Sequence, residues 1–383
     1  MKTFRKEPTH YCPQQLWDDF DLEALLNRPT ARLSPEKLPT HIRGQCVLLT
    51  GAAGSIGSEL ALQLIRMQPK HLYLLDQSES GLYYLDLRIK QLESRCNYGL
   101  LVANICDTLR MEGIFEHIKP EMVFHAAAYK HVPLMEEHPY EAIQTNVMGT
   151  KILADLSIQY DVTDFLFVST DKAVNPANVM GATKKYAEQY LQALQATYSH
   201  KTRFIITRFG NVMGSVGSVI PLFLKQIKEG GPITITHPDM YRYFMTIPEA
   251  CQLVLESSAM AEAGQIYMFD MGMPVSILRI AQQMILQTGL ELEKDIQIKY
   301  TGLRPGEKLW EELLNPYETS VTTVHPKIMT VHQRGACVLV DTVSIETLIN
   351  LAAHHQTKAV LEMLEQQVQG FHAYHPPAVS PPD

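Results

Sequence analysis

Gln45-Cys46-Val47-Leu48-Leu49-Thr50, running straight into Gly51-Ala52-Ala53-Gly54-Ser55-Ile56-Gly57, decides how this chain folds. The first six residues read as a buried strand, and Ser58 to Arg66 reads as the helix that follows. Glycines at 51, 54 and 57 permit a tight turn between them. They also let backbone N–H groups approach a pyrophosphate, which meets the positive end of the helix. A glycine triplet alone is weak. Here the next strand, His71 to Leu75, ends in Asp76. An acidic residue about 20 positions beyond the loop, at a strand end, binds both hydroxyls of an adenosine ribose. A 2′-phosphate would meet like charge there, and no Arg follows Asp76 directly, so NAD is expected over NADP. The competing reading makes Asp76 the N-cap of a helix from Ser78 to Glu93.

The alternation continues outward. Leu100 to Ala103 reads as a third strand, with Asn104 and Ile105 expected beside an adenine and Asp107 as a helix cap. Met122 to His125 is a fourth, opening into Ala126-Ala127-Ala128-Tyr129-Lys130, whose small residues let a cofactor lie close to the backbone. A helical stretch from Tyr140 to Tyr160 contains Asn146, either a buried kink residue or merely polar. Phe165 to Val168 and Arg203 to Arg208 are strands five and six. Strands separated by helical patterns predict an α/β fold, a doubly wound parallel Rossmann sheet. Gly-rich and helical pieces after Arg208 predict a smaller C-terminal substrate-binding lobe. The expected division is 1–43 as an extension and 44–212 as the NAD-binding domain, with 244–270 returning to it. Segments 213–243 and 271–345 form the substrate lobe, and 346–383 a C-terminal helix with a Pro-rich tail.

Chemistry concentrates where strand five ends. Ser169, Thr170, Asp171 and Lys172 emerge there, and a helix beginning near Met180 adds Lys184. Ligands of an open parallel sheet sit at the carboxyl ends of its strands. The bland alternative is an exposed Asp171–Lys172 ion pair.

Composition narrows the function classes. The formal charge of −8, with scattered Lys and Arg, argues against nucleic acid as the main partner. Six cysteines without close pairing read as reduced thiols, and the fifteen histidines form no ligand cluster, so no metal is expected. No apolar run approaches roughly 18 residues and no signal-peptide core opens the chain, so a cytoplasmic protein without a membrane span is expected.

Four stretches together resemble one family. They are Gly51 to Gly57, Ser169-Thr170-Asp171-Lys172-Ala173-Val174-Asn175-Pro176, Asn178 to Lys184, and Leu303-Arg304-Pro305-Gly306-Glu307-Lys308. Over roughly Gly44 to Leu314 the chain resembles an extended short-chain dehydrogenase/reductase of the polysaccharide-biosynthesis branch, typified by UDP-N-acetylglucosamine 4,6-dehydratases. The resemblance implies oxidation at sugar C4 by NAD, loss of water across C5–C6 and hydride return to C6. It implies that Thr170 bonds the 4-oxygen, Asp171 protonates the departing C6 hydroxyl, Lys172 is the base at C5 and Lys184 binds the nicotinamide ribose. Related enzymes acting on dTDP-glucose have Asp-Glu where this chain has Asp171-Lys172.

A lysine base must be substantially neutral, against a free pKa of about 10.4. Burial and a neighbouring Lys184 are expected to push Lys172 down. The superfamily's usual Tyr, four residues before the active-site Lys, is replaced by Met180, so Asp171 or Lys172 must also take the 4-hydroxyl proton. Members sharing this Met resemble dehydratases that retain configuration at C5.

The resemblance further implies that Arg304 holds a diphosphate and Glu307 ribose hydroxyls, although a surface ion pair explains both without it. Asn211 and Arg242 are further phosphate candidates, Ser218, Val219 and Thr234 are expected to line the base pocket, and Lys130 is expected to face the substrate. UDP-GlcNAc is the expected substrate; GDP-GlcNAc, a nucleotide-sugar epimerase and a non-catalytic NAD-binding sensor are the alternatives. A homo-oligomer is expected, with helices Tyr140–Tyr160 and Lys184–Tyr198 as its faces. Larger membrane-bound relatives carry transmembrane helices and a further domain ahead of this region, and the chain is expected to lack both.

Overall fold

A computed structural model describes residues 20–26, 28, 40–260, 262–334 and 339–373. Most of the 1–43 extension and nearly all of the Pro-rich tail lie outside the described residues, as do Cys12 and Cys337.

Nine strands form one sheet. In chain order they are β1 Cys46–Thr50, β2 His71–Asp76, β3 Tyr98–Val102, β4 Met122–His125, β5 Asp164–Thr170 and β6 Arg203–Phe209, then β7 Ile266–Phe269, β8 Glu318–Thr322 and β9 Ile328–Gln333. Across the sheet the order is β8-β9-β7-β6-β5-β4-β1-β2-β3, and from β7 to β3 every pairing is parallel. The strand order reverses between β1 and β4, which opens the ligand crevice of a doubly wound sheet.

The apolar runs are continuous because both faces of the sheet are covered. Leu48, Val123, Phe165 and Phe204 enter one core, with Phe115 of α3 (Thr108–Ile118), Leu153 of α4 (Gly149–Gln159) and Tyr186 of α5 (Val179–Thr197). Val47, Leu49, Phe124 and Ile205 enter the other, with Leu60 of α1 (Ser55–Arg66), Leu82 of α2 (Glu79–Lys90) and Val254 of a helix at Ile247–Ala259. The period of two sends alternate residues of each strand to opposite cores.

A third core lies in the segments expected to form the smaller lobe. Ile220, Phe223 and Ile227 of helix Val219–Lys228 pack with Ile233, Ile235 and with Ile280 and Met284 of helix Ile277–Gln287. Leu25 and Leu26, from the short helix Leu22–Leu26, complete that core. The described end of the 1–43 extension therefore docks on this lobe.

Three features differ from expectation. The stretch 271–345 is not one lobe: β8 and β9 form a hairpin whose β9 runs antiparallel to β7, extending the main sheet. Two helices follow it rather than one, Thr342–Ala353 and Thr357–Gln367. Their Ile345, Leu348, Val360 and Leu364 sit in the same core as Leu153 and Tyr186. These helices pack against the Ile143–Met148 turn and α5. Finally, the Tyr140–Tyr160 helix is broken into Pro139–Ala142, a π-helical turn at Ile143–Met148, and α4.

Candidate active site

The crevice begins at Gly51. Its φ is +70°, and a Cβ there would lie 2.5 Å from the Ala127 nitrogen, so the β1 loop can press against the end of β4 only as glycine. Helix α1 starts at Ser55 with Gly54 as its N-cap and no side-chain cap, which leaves its first amides open to an anion. Asp76 is not a helix cap; Ser78 takes that place for α2. Instead Asp76 Oδ2 accepts from Ala53 N and Oδ1 from Ser78 N, each at 2.9 Å. Each oxygen keeps a free lone pair for a ribose hydroxyl. A cavity of about 100 Å³ beside it is lined by Asp76, Ala103, Asn104, Ile105, Ala127 and Thr145, with no Arg or Lys among its lining residues. Asn104 Oδ1 accepts from Cys106 N, and Asp107 caps α3 as expected.

This cavity adjoins a larger one of about 700 Å³, whose walls include Ser55, Ile56, Gly57, Ala126, Lys130, Thr170, Lys172, Met180 and Lys184. At the carboxyl end of β5, Thr170 Oγ1 donates to Asp171 Oδ1 at 2.9 Å, and Lys172 Nζ donates to the same oxygen at 3.0 Å. Asp171 is 2 % exposed, and its Oδ2 is buried without a hydrogen-bond partner. An unpaired buried carboxylate oxygen is costly unless something arrives to use it. The surface ion-pair reading is therefore excluded by burial.

Helix α5 delivers Lys184. Asn178 caps it by accepting from Gly181 N at 2.8 Å, and Asn178 Nδ2 donates to Gly306 O at 3.0 Å. Lys184 Nζ stands 3.7 Å from the centre of the Phe167 ring. Met180, 3 % exposed, lines the cavity one turn earlier.

The charges of the two lysines reverse the expectation. Burial pulls Lys172 down, but Asp171 and Glu311 outweigh burial and Arg242, and its amine is held above the ordinary value. The depressed amine is Lys184, which burial brings down to about 7 against the opposing field of Glu188.

On the far wall, Glu307 accepts from Thr236 Oγ1 and from Arg304 N, while the Arg304 side chain is exposed at the mouth. Ser218 Oγ is buried without a partner and, with Val219 and Thr234, lines the cavity. Two phosphate candidates are placed differently from expectation. Asn211 Oδ1 accepts from Lys172 Nζ at 3.1 Å, which sets it at the reacting centre. Arg242 donates to the carbonyls of Tyr241, Leu309 and Lys308, so its guanidinium buttresses the loop that carries Glu307.

Three contributors were not legible in the motifs. Buried Asn146 accepts from Tyr129 N at 2.8 Å and donates to Tyr129 O and Thr183 Oγ1, tying the Ala126–Lys130 loop to α5. Beneath the site, Arg208 bonds both oxygens of Glu188 and one of Glu318, and Ser169 Oγ donates to Glu188 at 2.6 Å. Glu311 stands 3.7 Å from Lys172. Its place just past the Arg304–Lys308 motif was the one available signal. His125, buried between Thr50 and Thr150 hydroxyls, is a core residue, and burial lowers its pKa.

Residues 47–333 match the family described as polysaccharide biosynthesis protein. The chain belongs to that family. Among its relatives, capsular polysaccharide biosynthesis protein CapD of Staphylococcus aureus is 46% identical over 80% of this chain and 51% of its own length. The probable polysaccharide biosynthesis protein EpsC of Bacillus subtilis is 44% identical over 81% of this chain and 52% of its own. The chain thus spans about half the length of these curated relatives. A UDP-glucose 4-epimerase of Rickettsia massiliae is 34% identical over 71% of this chain and 78% of its own. Of solved structures, Pen from Bacillus thuringiensis superposes with a TM-score of 0.69 at 32% identity, covering 76% of this chain and 90% of that one. The dTDP-glucose 4,6-dehydratase DesIV of Streptomyces venezuelae shares the fold, with a TM-score of 0.61 at 20% identity over 70% and 87% of the two chains. Its large parallel sheet is the Rossmann-type fold of these solved structures. Among the described residues no helix is long and apolar enough to cross a membrane.

Proposed function

We propose that the chain is an NAD-dependent nucleotide-sugar 4,6-dehydratase acting on UDP-GlcNAc with retention at C5. The observation that carries this reading is the buried Asp171–Lys172 pair, joined at 3.0 Å beside Thr170. Simple C4 epimerisation needs no acid and base at C5 and C6. Elimination of water needs both.

The residues around the crevice fit a dinucleotide. The open α1 amides would hold its pyrophosphate, Asp76 its adenosine ribose and Lys184 its nicotinamide ribose, while Gly51 leaves room for the backbone approach. Bound there, NAD supplies the acceptor that takes hydride from C4 and returns it to C6.

Two protons leave the sugar, from the 4-hydroxyl and from C5. Two are delivered, to the departing C6 oxygen and back to C5. Thr170 orients the 4-oxygen. Because Met180 has no proton to exchange, the Asp171–Lys172 pair handles this traffic. Asp171 Oδ2 is an open acceptor, and Lys172 begins as the protonated member. Arg304 and Glu307 at the mouth would take the diphosphate and ribose.

The sequence likeness to proteins named UDP-glucose 4-epimerase favours a second reading, C4 epimerisation. Purified protein with UDP-GlcNAc in deuterated water separates the two. The expected product is lighter by one water, with a 4-keto group and deuterium at C5. A product of unchanged mass would establish the epimerase instead. Product from GDP-GlcNAc alone would move the substrate.

A further inference from the structure

Glu311 reaches the reacting centre from the cavity wall. It lines the main cavity, and its carboxylate stands 3.7 Å from Lys172 Nζ and 3.7 Å from Arg242 Nε, with its side chain only 7% exposed. Lys172 is therefore gripped from three parts of the chain: Asp171 beside it, Asn211 after β6, and Glu311 some 140 positions on. At 3.7 Å the Glu311 contact is electrostatic rather than a hydrogen bond.

The surroundings keep Glu311 in place. Arg242 is anchored by three backbone carbonyls, so it cannot follow a departing carboxylate. The Glu311 segment is itself tied down, since Lys308 Nζ donates to Asn175 O at 2.6 Å and Asn175 Nδ2 to Glu312 at 2.6 Å. The charged groups facing Lys172 are Asp171 and Glu311 on the negative side, with Arg242 and Lys130 on the positive. Two carboxylates face two cations, so removal of the Glu311 carboxylate weakens the negative field at the amine. With both side chains largely shielded from bulk solvent, a charge at this distance is screened less than one on the open surface.

We infer that Glu311 is a positioning residue of this site, holding the Lys172 amine protonated and aimed at Asp171 until substrate arrives. Glu311 touches neither the sugar nor the cofactor in this role; it acts through Lys172. The inference deepens the dehydratase reading and rests on it for the part concerning turnover. The part concerning Lys172 stands without it.

The test is competitive acetylation of the full chain without substrate, with Lys172 followed by peptide mass spectrometry across pH. In Glu311→Gln the midpoint of Lys172 reactivity is expected to move to lower pH. Glu311→Asp keeps the charge and is expected to restore the midpoint towards that of the unsubstituted chain. Exposed Lys90 serves as the internal control. Glu311→Ala should repeat the displacement, so the result does not hang on one variant folding well. With UDP-GlcNAc, the alkaline limb of kcat should move in the same direction while KM holds. A Lys172 midpoint that is the same in the unsubstituted chain, Glu311→Gln and Glu311→Ala would overturn the inference. A displaced midpoint in a protein that turns over no nucleotide sugar would uphold it and sink the dehydratase reading instead.

Discussion

Gly181 sits on the carbonyl of Lys172: a Cβ at that position would lie 2.2 Å from the oxygen and 3.2 Å from Asn178 Oδ1. The first turn of α5 and the Asp171–Ala173 turn are packed backbone to backbone there, which is how Lys184 and Lys172 come to share one cavity. A single methyl cannot be absorbed by a flexible neighbour, because the nearest atoms are main chain.

Gly181→Ala should therefore separate the two turns. We expect a loss of about 1–3 kcal/mol of stability, the range for forcing extra volume into a packed site. Loss of turnover should exceed what the melting temperature alone would suggest. Unchanged kinetics in a stably folded variant would show that the two turns move independently.

Lys184 makes stability depend on pH in a definite direction. Its folded pKa of about 7 lies below the unfolded value of about 10.4. Between those values the unfolded chain binds a proton that the folded chain lacks, so this residue's contribution rises with pH through that window. Below about pH 7 the fold carries a buried ammonium. Lys184→Met keeps the stem against Phe167 and removes the charge, so it should raise the melting temperature by more at pH 6 than at pH 9.5. The gain at low pH is on the order of a few kcal/mol. A gain that grows with pH would contradict the assignment.

Arg208, together with Lys185, balances two buried carboxylates beneath the site. It is 1% exposed and lies at 2.8 and 2.5 Å from Glu188 and 2.9 Å from Glu318. Arg208→Met leaves both anions facing Lys185 with half of their counter-charge gone, and should cost about 3–5 kcal/mol in urea unfolding. Adding Glu188→Gln, which leaves Glu318 to balance Lys185, should recover much of that loss. If the double variant is no better than the single one, the damage is steric rather than electrostatic.

Arg304 is exposed at the mouth of the cavity and remote from the Asp171–Lys172 pair along the chain. Arg304→Ala should raise KM for the nucleotide sugar about tenfold to a hundredfold, the value of one charged hydrogen-bonding partner, while kcat stays close to its original value. A fall in kcat at constant KM would place Arg304 in the chemistry instead.

What the sequence determined by itself is local in origin. A strand–glycine–helix junction reveals itself because Gly51 must take a positive φ within a few residues of an apolar run. Asp76 and the Thr170-Asp171-Lys172 cluster are legible because strand ends are, and strand ends are where an open parallel sheet presents its chemistry. The tertiary structure decided the rest. Arg208 and Glu318 are 110 positions apart, and no periodicity joins them. The β8–β9 hairpin joins the main sheet because its edge pairs with β7, a contact that strand propensity cannot assign to one partner. The C-terminal helices pack on the Ile143–Met148 turn and α5 through apolar side chains that would have suited a second subunit equally well. Which lysine is neutral followed the same logic. Adjacency to Asp171 was visible in the chain, but burial of Lys184 over Phe167, and the arrival of Glu311 at Lys172, depend on elements that meet only when the sheet is closed on both sides.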